Sequence, residues 1–237
     1  PNTAVGNAVS AAYNSLAYRT GLKTAEVVRF STDESDTAAL LRNFTKYDER
    51  VQALETATAE GQITPQNALT AGDLPFQAVL LPVGGDQARS IANLLSYYDL
   101  GPGQVKRLGT GLWDDPGLAT EPALAGSWFA APSPDLRRNF ERRYRELYGS
   151  TPPRLSSLAY DATALAAVLA KNSYQAQGYP SFQRTALVNP NGFAGIDGIF
   201  RFRPDGLIER GLAVLEFRNG DISVIDAAPN TFQSAGY

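Results

Sequence analysis

The sequence predicts an α/β fold: Rossmann-like lobes of parallel sheet with flanking helices, followed by a C-terminal β-hairpin meander. Three observations carry this. Short apolar runs end in glycine-rich turns and give way to helical spacing, as at Gln77–Leu81, Pro82-Val83-Gly84-Gly85 and the helix from Asp86. The order strand, turn, helix, strand recurs at Val105–Leu108 and Ser127–Ala130, and that alternation belongs to parallel sheets covered by helices. Beyond Ile199 the period changes to two, with turn residues at Arg203-Pro204-Asp205-Gly206 and Asn219-Gly220, which specifies antiparallel hairpins.

In chain order, Ala4, Val5, Ala8, Val9, Ala12 and Leu16 are spaced as a helix that Gly21 stops. Glu26–Phe30 is a short strand. Asp36 can cap a helix from Thr37 that carries Leu40, Leu41, Phe44, Tyr47, Val51 and Leu54 along its length. The strand at Gln77–Leu81 precedes a helix with Ile91, Leu94, Leu95 and Tyr98. Val105–Leu108 and Ser127–Ala130 are the next strands. Pro134 opens a helix with Leu136, Phe140, Tyr144 and Leu147 on one stripe, closed by Gly149. Thr151-Pro152-Pro153 is a linker. The helix Leu155–Leu169 has few charges and is expected to be largely buried. Ile199–Phe202, Leu212–Phe217 and Ile222–Ile225 form the closing meander.

Composition removes several function classes. The 237 residues are 43% hydrophobic and 19% charged, a globular balance with net charge −3. A duplex-binding protein carries a basic footprint, so nucleic acid is not an expected partner. Cys and His are absent, which excludes zinc and copper sites and the Ser-His and Cys-His nucleophile pairs. No cofactor is implied. Met is absent as well, so further sequence is expected before Pro1, where any signal peptide or lipid anchor would lie. A membrane association is expected only through such an anchor.

The loops at the carboxyl ends of the strands are the candidate site, because open parallel sheets bind ligands there. Gly84, Gly85 and Asp86 follow one strand; Gly111, Trp113, Asp114 and Asp115 follow the next. Trp113 offers a stacking face and the aspartates offer acceptors, although turn and helix-cap chemistry accounts for the same residues, most plainly for Asp86. Asp161, with Tyr160 beside it, lies on an apolar helix and calls for a partner, either a cleft ligand or a backbone donor. Asp33, Glu34 and Asp36 lack the glycine and distal glutamate of a calcium loop and read as a solvated loop. Arg137, Arg138, Arg142, Arg143 and Arg145 form a basic helix face, solvated unless a partner docks there. Gly101-Pro102-Gly103 is not a dinucleotide fingerprint, since Lys106 takes the third glycine's place and a strand follows. The adjacent pair Asp114-Asp115 is the only carboxylate doublet that suggests an enzyme, and neighbours on one turn rarely oppose each other across a substrate.

Several stretches resemble the type I periplasmic binding proteins. They are Pro1–Gly6 before a helix, the strand ending Arg29-Phe30, Asp36–Leu41, Leu124–Phe129, the helix Phe140–Tyr148 with Gly149, Leu158–Ala162, and Gly198–Phe202 with Asp205-Gly206. The resemblance implies two lobes, with 1–150 as lobe two lacking its first strand. It makes 151–198 a returning helical part of lobe one, and 199–237 the crossing hairpin and last strands of lobe two. It implies a periplasmic protein without catalytic activity, free or anchored as a lipoprotein. Position in the chain, chiefly at strand ends, gives the expected ligand contacts as Thr3, Gly84, Gly85, Asp86, Trp113, Asp114, Tyr160 and Asp161. The resemblance further implies that the opening units of lobe one and the first strand of lobe two precede Pro1.

Within that family two roles remain open. Members that deliver branched-chain amino acids usually carry an aromatic residue where Val5 stands and often an acidic one near Ala125. Those departures weaken the amino-acid reading, while the long segment Lys46–Pro75, which transporter members mostly lack, and the stretches Gly109–Pro116 and Leu124–Pro132 resemble the lipoprotein activators of penicillin-binding proteins. The resemblance thus favours a regulator of peptidoglycan synthases. The alternative is an ABC-transporter receptor for amino acids or another small polar ligand, with the permease as its partner.

Overall fold

A computed structural model describes residues 1–31, 36–61, 74, 76–153 and 155–232. In chain order its elements are α1 (Ala4–Thr20), α2 (Thr37–Phe44), α3 (Tyr47–Ala59), β1 (Ala78–Leu81), α4 (Gly85–Tyr97), β2 (Lys106–Gly109), α5 (Pro116–Ala119), β3 (Trp128–Ala131), α6 (Pro134–Tyr148), α7 (Ser156–Gln177), α8 (Arg184–Leu187), β4 (Phe193–Gly195), β5 (Gly198–Phe202), β6 (Ile208–Arg210), β7 (Ala213–Arg218) and β8 (Asp221–Asp226). Short 3-10 turns occupy Gly111–Trp113 and Pro122–Leu124. The chain divides into two units, Pro1–Phe129 with Glu216–Ser223 and Ala130–Leu215 with Val224–Tyr237. The divisions fall within β3, β7 and β8.

The five-stranded sheet has the order β1-β2-β3-β7-β8, and β1 and β2 lie wholly in the first unit. β1 and β2 pair in parallel with Val79 opposite Arg107, and β2 and β3 pair in parallel with Leu108 opposite Trp128. The hairpin between β7 and β8 turns on Asn219 (φ 55°) and Gly220 (φ 79°), the two positive dihedrals that a type I′ turn requires.

One face of this sheet buries Val79, Leu81, Phe129 and Phe217. Trp113 is fully buried against it, stacked on Phe217 at a centroid distance of 5.9 Å. Gly109 makes this packing fit: a Cβ there would stand 2.1 Å from the Trp113 ring. From α4, Ala88, Ile91, Ala92 and Leu95 are buried.

Two arginines are built into this core. Arg107 is 1% exposed. Its guanidinium donates to the carbonyls of Leu100 (2.7 Å), Ala92 (3.2 Å) and Ala123 and to Ser96 Oγ (2.9 Å). Burial lowers its pKa to about 10, so it remains a cation at neutral pH and its donors meet buried carbonyls of α4, the loop after it and the turn before β3. Arg50 of α3 does the same for the end of α4, donating to the carbonyls of Tyr98 and Asp99, each at 3.2 Å.

In the second unit β4, β5 and β6 form an antiparallel sheet, with Phe193 opposite Phe200 and Phe200 opposite Arg210. Leu165 and Leu169 of α7 pack on Phe200. α6 bears the arginine face. Arg137 pairs with Glu141 at 2.7 Å, Arg138 with Asp135, and Arg142 donates to Asn139 at 3.1 Å, the short-range pairing of a solvated helix.

Four expectations change. The single helix from Thr37 is two helices, broken where Thr45 is buried and Lys46 takes φ 50°. The break turns Tyr47 onto Tyr98, at 5.4 Å, while Phe44 meets Phe76 at 4.8 Å. Glu26–Phe30 is extended but belongs to no strand, because among the described residues no chain pairs with it along its length. α7 is not largely buried. Ser157, Asp161, Leu165 and Leu169 are its buried residues, one per turn, so its low charge reflects a wide exposed apolar surface. The strand β4 was not expected; Phe193-Ala194-Gly195 is too short for periodicity to show. Asp33, Glu34 and most of the Lys46–Pro75 segment beyond α3 lie outside the described residues.

Candidate ligand-binding site

In the first unit the candidate residues gather at the carboxyl ends of β1 and β2. The two loops touch. The indole Nε1–H of Trp113 donates to the Val83 carbonyl at 2.7 Å, and Gly84 lies so near Leu112 that a Cβ would stand 3.0 Å from that residue's carbonyl oxygen. Any side chain at position 84 would push the loops apart. Gly84 is also the N-cap of α4 and offers no side chain to its first-turn N–H groups. Gly85 follows with φ 55°.

Asp86 sits in the first turn of α4, where the helix dipole favours a carboxylate. Arg89 holds it at 2.7 Å and also donates to the Gly117 carbonyl at 2.8 Å, so one arginine ties the α4 end to α5. Asp114 closes the turn after Trp113, its N–H donating to the Gly111 carbonyl at 3.2 Å. Asp115 caps α5 through Gly117 N–H at 2.9 Å. This edge therefore combines the start of α4, which has no side-chain cap, with the exposed Asp86 and the half-buried Asp114 and Asp115.

Trp113 departs from its expected part. It is fully buried and presents no face to solvent; its place is under the loops, setting their spacing. Thr3 caps α1, with Oγ1 accepting from Gly6 N–H at 3.1 Å.

Tyr160 and Asp161 lie in the second unit. Tyr160 is half exposed, its ring edge-on to Phe140 at 5.6 Å. Asp161 is buried and its Oδ1 accepts the Ile196 N–H at 2.8 Å, the backbone-donor alternative for a carboxylate on this helix. One turn earlier, Ser157 donates to Asp197 Oδ2 at 2.8 Å. The polar end of the α7 stripe thus fixes the bend between β4 and β5.

Sequence reading missed Arg107 and Asp197. Period two from Val105 places Arg107 on the inner face, and a cation there demands carbonyl acceptors. Asp197 carried no signal, since it stands alone in a turn. Among the described residues no cluster of three acidic side chains that could hold a metal occurs, and no helix is long and apolar enough to cross a membrane.

Among the solved structures that the folded chain matches are two covering nearly its whole length. One is a branched-chain amino acid ABC transporter periplasmic ligand-binding protein from Burkholderia xenovorans LB400, at TM-score 0.61 and 18% identity, with 95% of this chain and 56% of that one covered. The other is an ABC transporter substrate-binding protein from Desulfitobacterium hafniense, at TM-score 0.60 and 15% identity, with 94% and 58% covered. The fold is that of the type I periplasmic binding proteins. This chain spans little more than half the length of those two binding-protein structures. No protein-family model and no curated protein matches it. At these identities the likeness of the type I binding-protein fold stands by itself, and function has to be argued from residues.

Proposed function

We propose that the chain is part of an extracytoplasmic solute-binding protein that captures an amino acid or another small polar ligand for an ABC permease, without catalysing a reaction. The observation that carries this is the joined loop pair at the ends of β1 and β2, with Gly84 pressed on Leu112 and Asp86 and Asp114 beside it. The ligand would be held by main-chain amides and carboxylates; nothing there pairs a nucleophile with a base. Both similar structures are described as ABC-transporter binding proteins, which supports the reading. The activator role draws no support from them and rests on Val5, Ala125, the Lys46–Pro75 segment and the stretches Gly109–Pro116 and Leu124–Pro132. Asp161 enters this proposal as a positioning residue, Tyr160 as the exposed contact of its unit, and the assignment of the units to lobe two and lobe one as part of the same reading.

The test is a thermal-shift titration of the complete protein with amino acids, small carboxylates and muropeptides. A ligand at ~100 times its dissociation constant adds ~2.7 kcal/mol. A shift with amino acids or carboxylates, weakened in Asp114→Ala, supports the proposal. Silence across the panel, with capture of a peptidoglycan synthase, returns the regulator to first place.

A further inference from the structure

The pairing within α6 leaves most of its arginine face unanswered. The aromatic stripe fixes how the helix is turned. Phe140 is half-buried, its ring 5.6 Å from Tyr160 of α7, and Tyr144 follows at 6.0 Å. At 3.6 residues per turn that phase sets Arg138, Arg142 and Arg145 in one outward line, roughly 10 Å from first to last. Arg143 flanks the line, and all four are exposed. Arg137 and Glu141 neutralise each other at the border, only 21% and 23% exposed. Of the outward four, Arg138 pairs with Asp135 and Arg142 donates to the neutral Asn139. Arg143 and Arg145 pair with no carboxylate among the described residues.

The face is suited to carboxylates. α6 carries five arginines against three acidic residues, in a chain of net charge −3. All its cations are arginines, whose planar fork meets a carboxylate through two parallel hydrogen bonds. The last turn adds apolar surface: Leu147 is 76% exposed, one turn after Arg143, and Tyr148 is 68% exposed, one turn after Arg145. Arginine and tyrosine are the residue types enriched where protein interfaces concentrate their binding energy. Asp135 and Glu146 are exposed on the same face. A fluid anionic lipid surface takes lysine as readily as arginine and repels carboxylates. A partner of fixed shape can set its own cations against Asp135 and Glu146, which selects one register.

We propose that this face docks an acidic helix of a partner protein. Its carboxylates at i, i+4 and i+7 meet Arg138, Arg142 and Arg145, and an apolar side chain covers Leu147 and Tyr148. Single exposed ion pairs contribute little, so recognition depends on the set. The docking face does not rest on the ligand site at β1 and β2.

The probe is an amidated, alanine-rich helical peptide of about 20 residues, with glutamates repeating at i, i+4 and i+7 and a label for fluorescence anisotropy. Its glutamine counterpart is the control. The expected result is binding of the glutamate peptide alone, weakened as salt is raised. Arg138→Gln with Arg142→Gln and Arg145→Gln is expected to lower that affinity about tenfold or more. An equal loss of charge at other exposed positions, Arg19→Gln with Lys23→Gln and Lys171→Gln, leaves it near native. Thermal unfolding checks that each variant is folded; if the α6 triple variant is not, Arg145→Glu, at an exposed and unpaired position, is read in its place. No binding of the glutamate peptide, equal binding of both peptides, or equal affinity in the two triple variants overturns the proposal. Binding to phosphatidylglycerol vesicles without binding of the glutamate peptide overturns it as well and makes the face a lipid contact.

Discussion

Trp128 donates its indole N–H to Glu216 Oε1 at 3.0 Å, joining β3 to β7 across 88 positions of sequence. Arg218 holds the other carboxylate oxygen, its Nε 2.6 Å from Glu216 Oε2, and Lys106 lies over the Trp128 ring at 4.3 Å. First the Trp128 hydrogen bond and then Arg218 hold the Glu216 carboxyl below the usual glutamate range, against the opposing effect of burial. The sign follows from linkage: a carboxylate with a depressed folded pKa contributes stability that is complete above its unfolded pKa and lost as pH falls through the folded one.

Glu216→Gln is therefore expected to lower stability at pH 7 by roughly 1–2 kcal/mol, a charged hydrogen bond exchanged for a neutral one. It should also flatten the loss of stability in the acid range. Urea midpoints at pH 7 and at several points below pH 5 read both effects. Parallel acid slopes for the two proteins would show that Glu216 is not the titrating group.

Arg107→Met is expected to cost about 3 kcal/mol or more, because it removes the buried donor to the Leu100 and Ala123 carbonyls. Arg107→Lys should recover only part of this, since an ammonium cannot reproduce the planar fork. Chemical denaturation at neutral pH, where the native group is charged, orders the three proteins. A Lys variant equal to the native protein would mean that charge alone matters.

Gly109→Ala is expected to destabilise by roughly 2–4 kcal/mol, since the new Cβ would enter the Trp113 ring, which has no free space to retreat into. Near-UV circular dichroism should lose its tryptophan bands as the ring is displaced from Phe217. The double variant Gly109→Ala with Trp113→Leu should recover part of the stability. No recovery would place the strain elsewhere.

The alternation of strand, turn and helix was legible because it is local: Gly84-Gly85, Gly149 and Asn219-Gly220 each mark a boundary through their own backbone demands. What the sequence hid depends on partners distant along the chain. Glu26–Phe30 reads as a strand by composition, yet pairing needs a neighbour. The break at Thr45-Lys46 is set by how Phe44 and Tyr47 find Phe76 and Tyr98. Strand-end logic picked out two loops that touch, since Val83 meets Trp113 and Gly84 meets Leu112. It misjudged Trp113, because a large aromatic in a glycine-rich turn reads alike whether it faces out or in.

Asp161 separates a structural from a ligand-binding role most sharply. Its Oδ1 accepts the Ile196 N–H in the bend beside Asp197. Asp161→Ala leaves that donor unpaired and is expected to cost roughly 1–3 kcal/mol, whereas Asp161→Asn keeps an oxygen in place and should cost less. If Asp161 only positions the bend, the Asn variant will bind whatever ligand the thermal-shift panel identifies with nearly native affinity, in step with its stability. If the carboxylate touches ligand, affinity will fall in Asp161→Asn while the unfolding midpoint stays close to native. Measuring both quantities on the same two variants decides the matter, because a merely structural residue cannot lose binding without also losing stability.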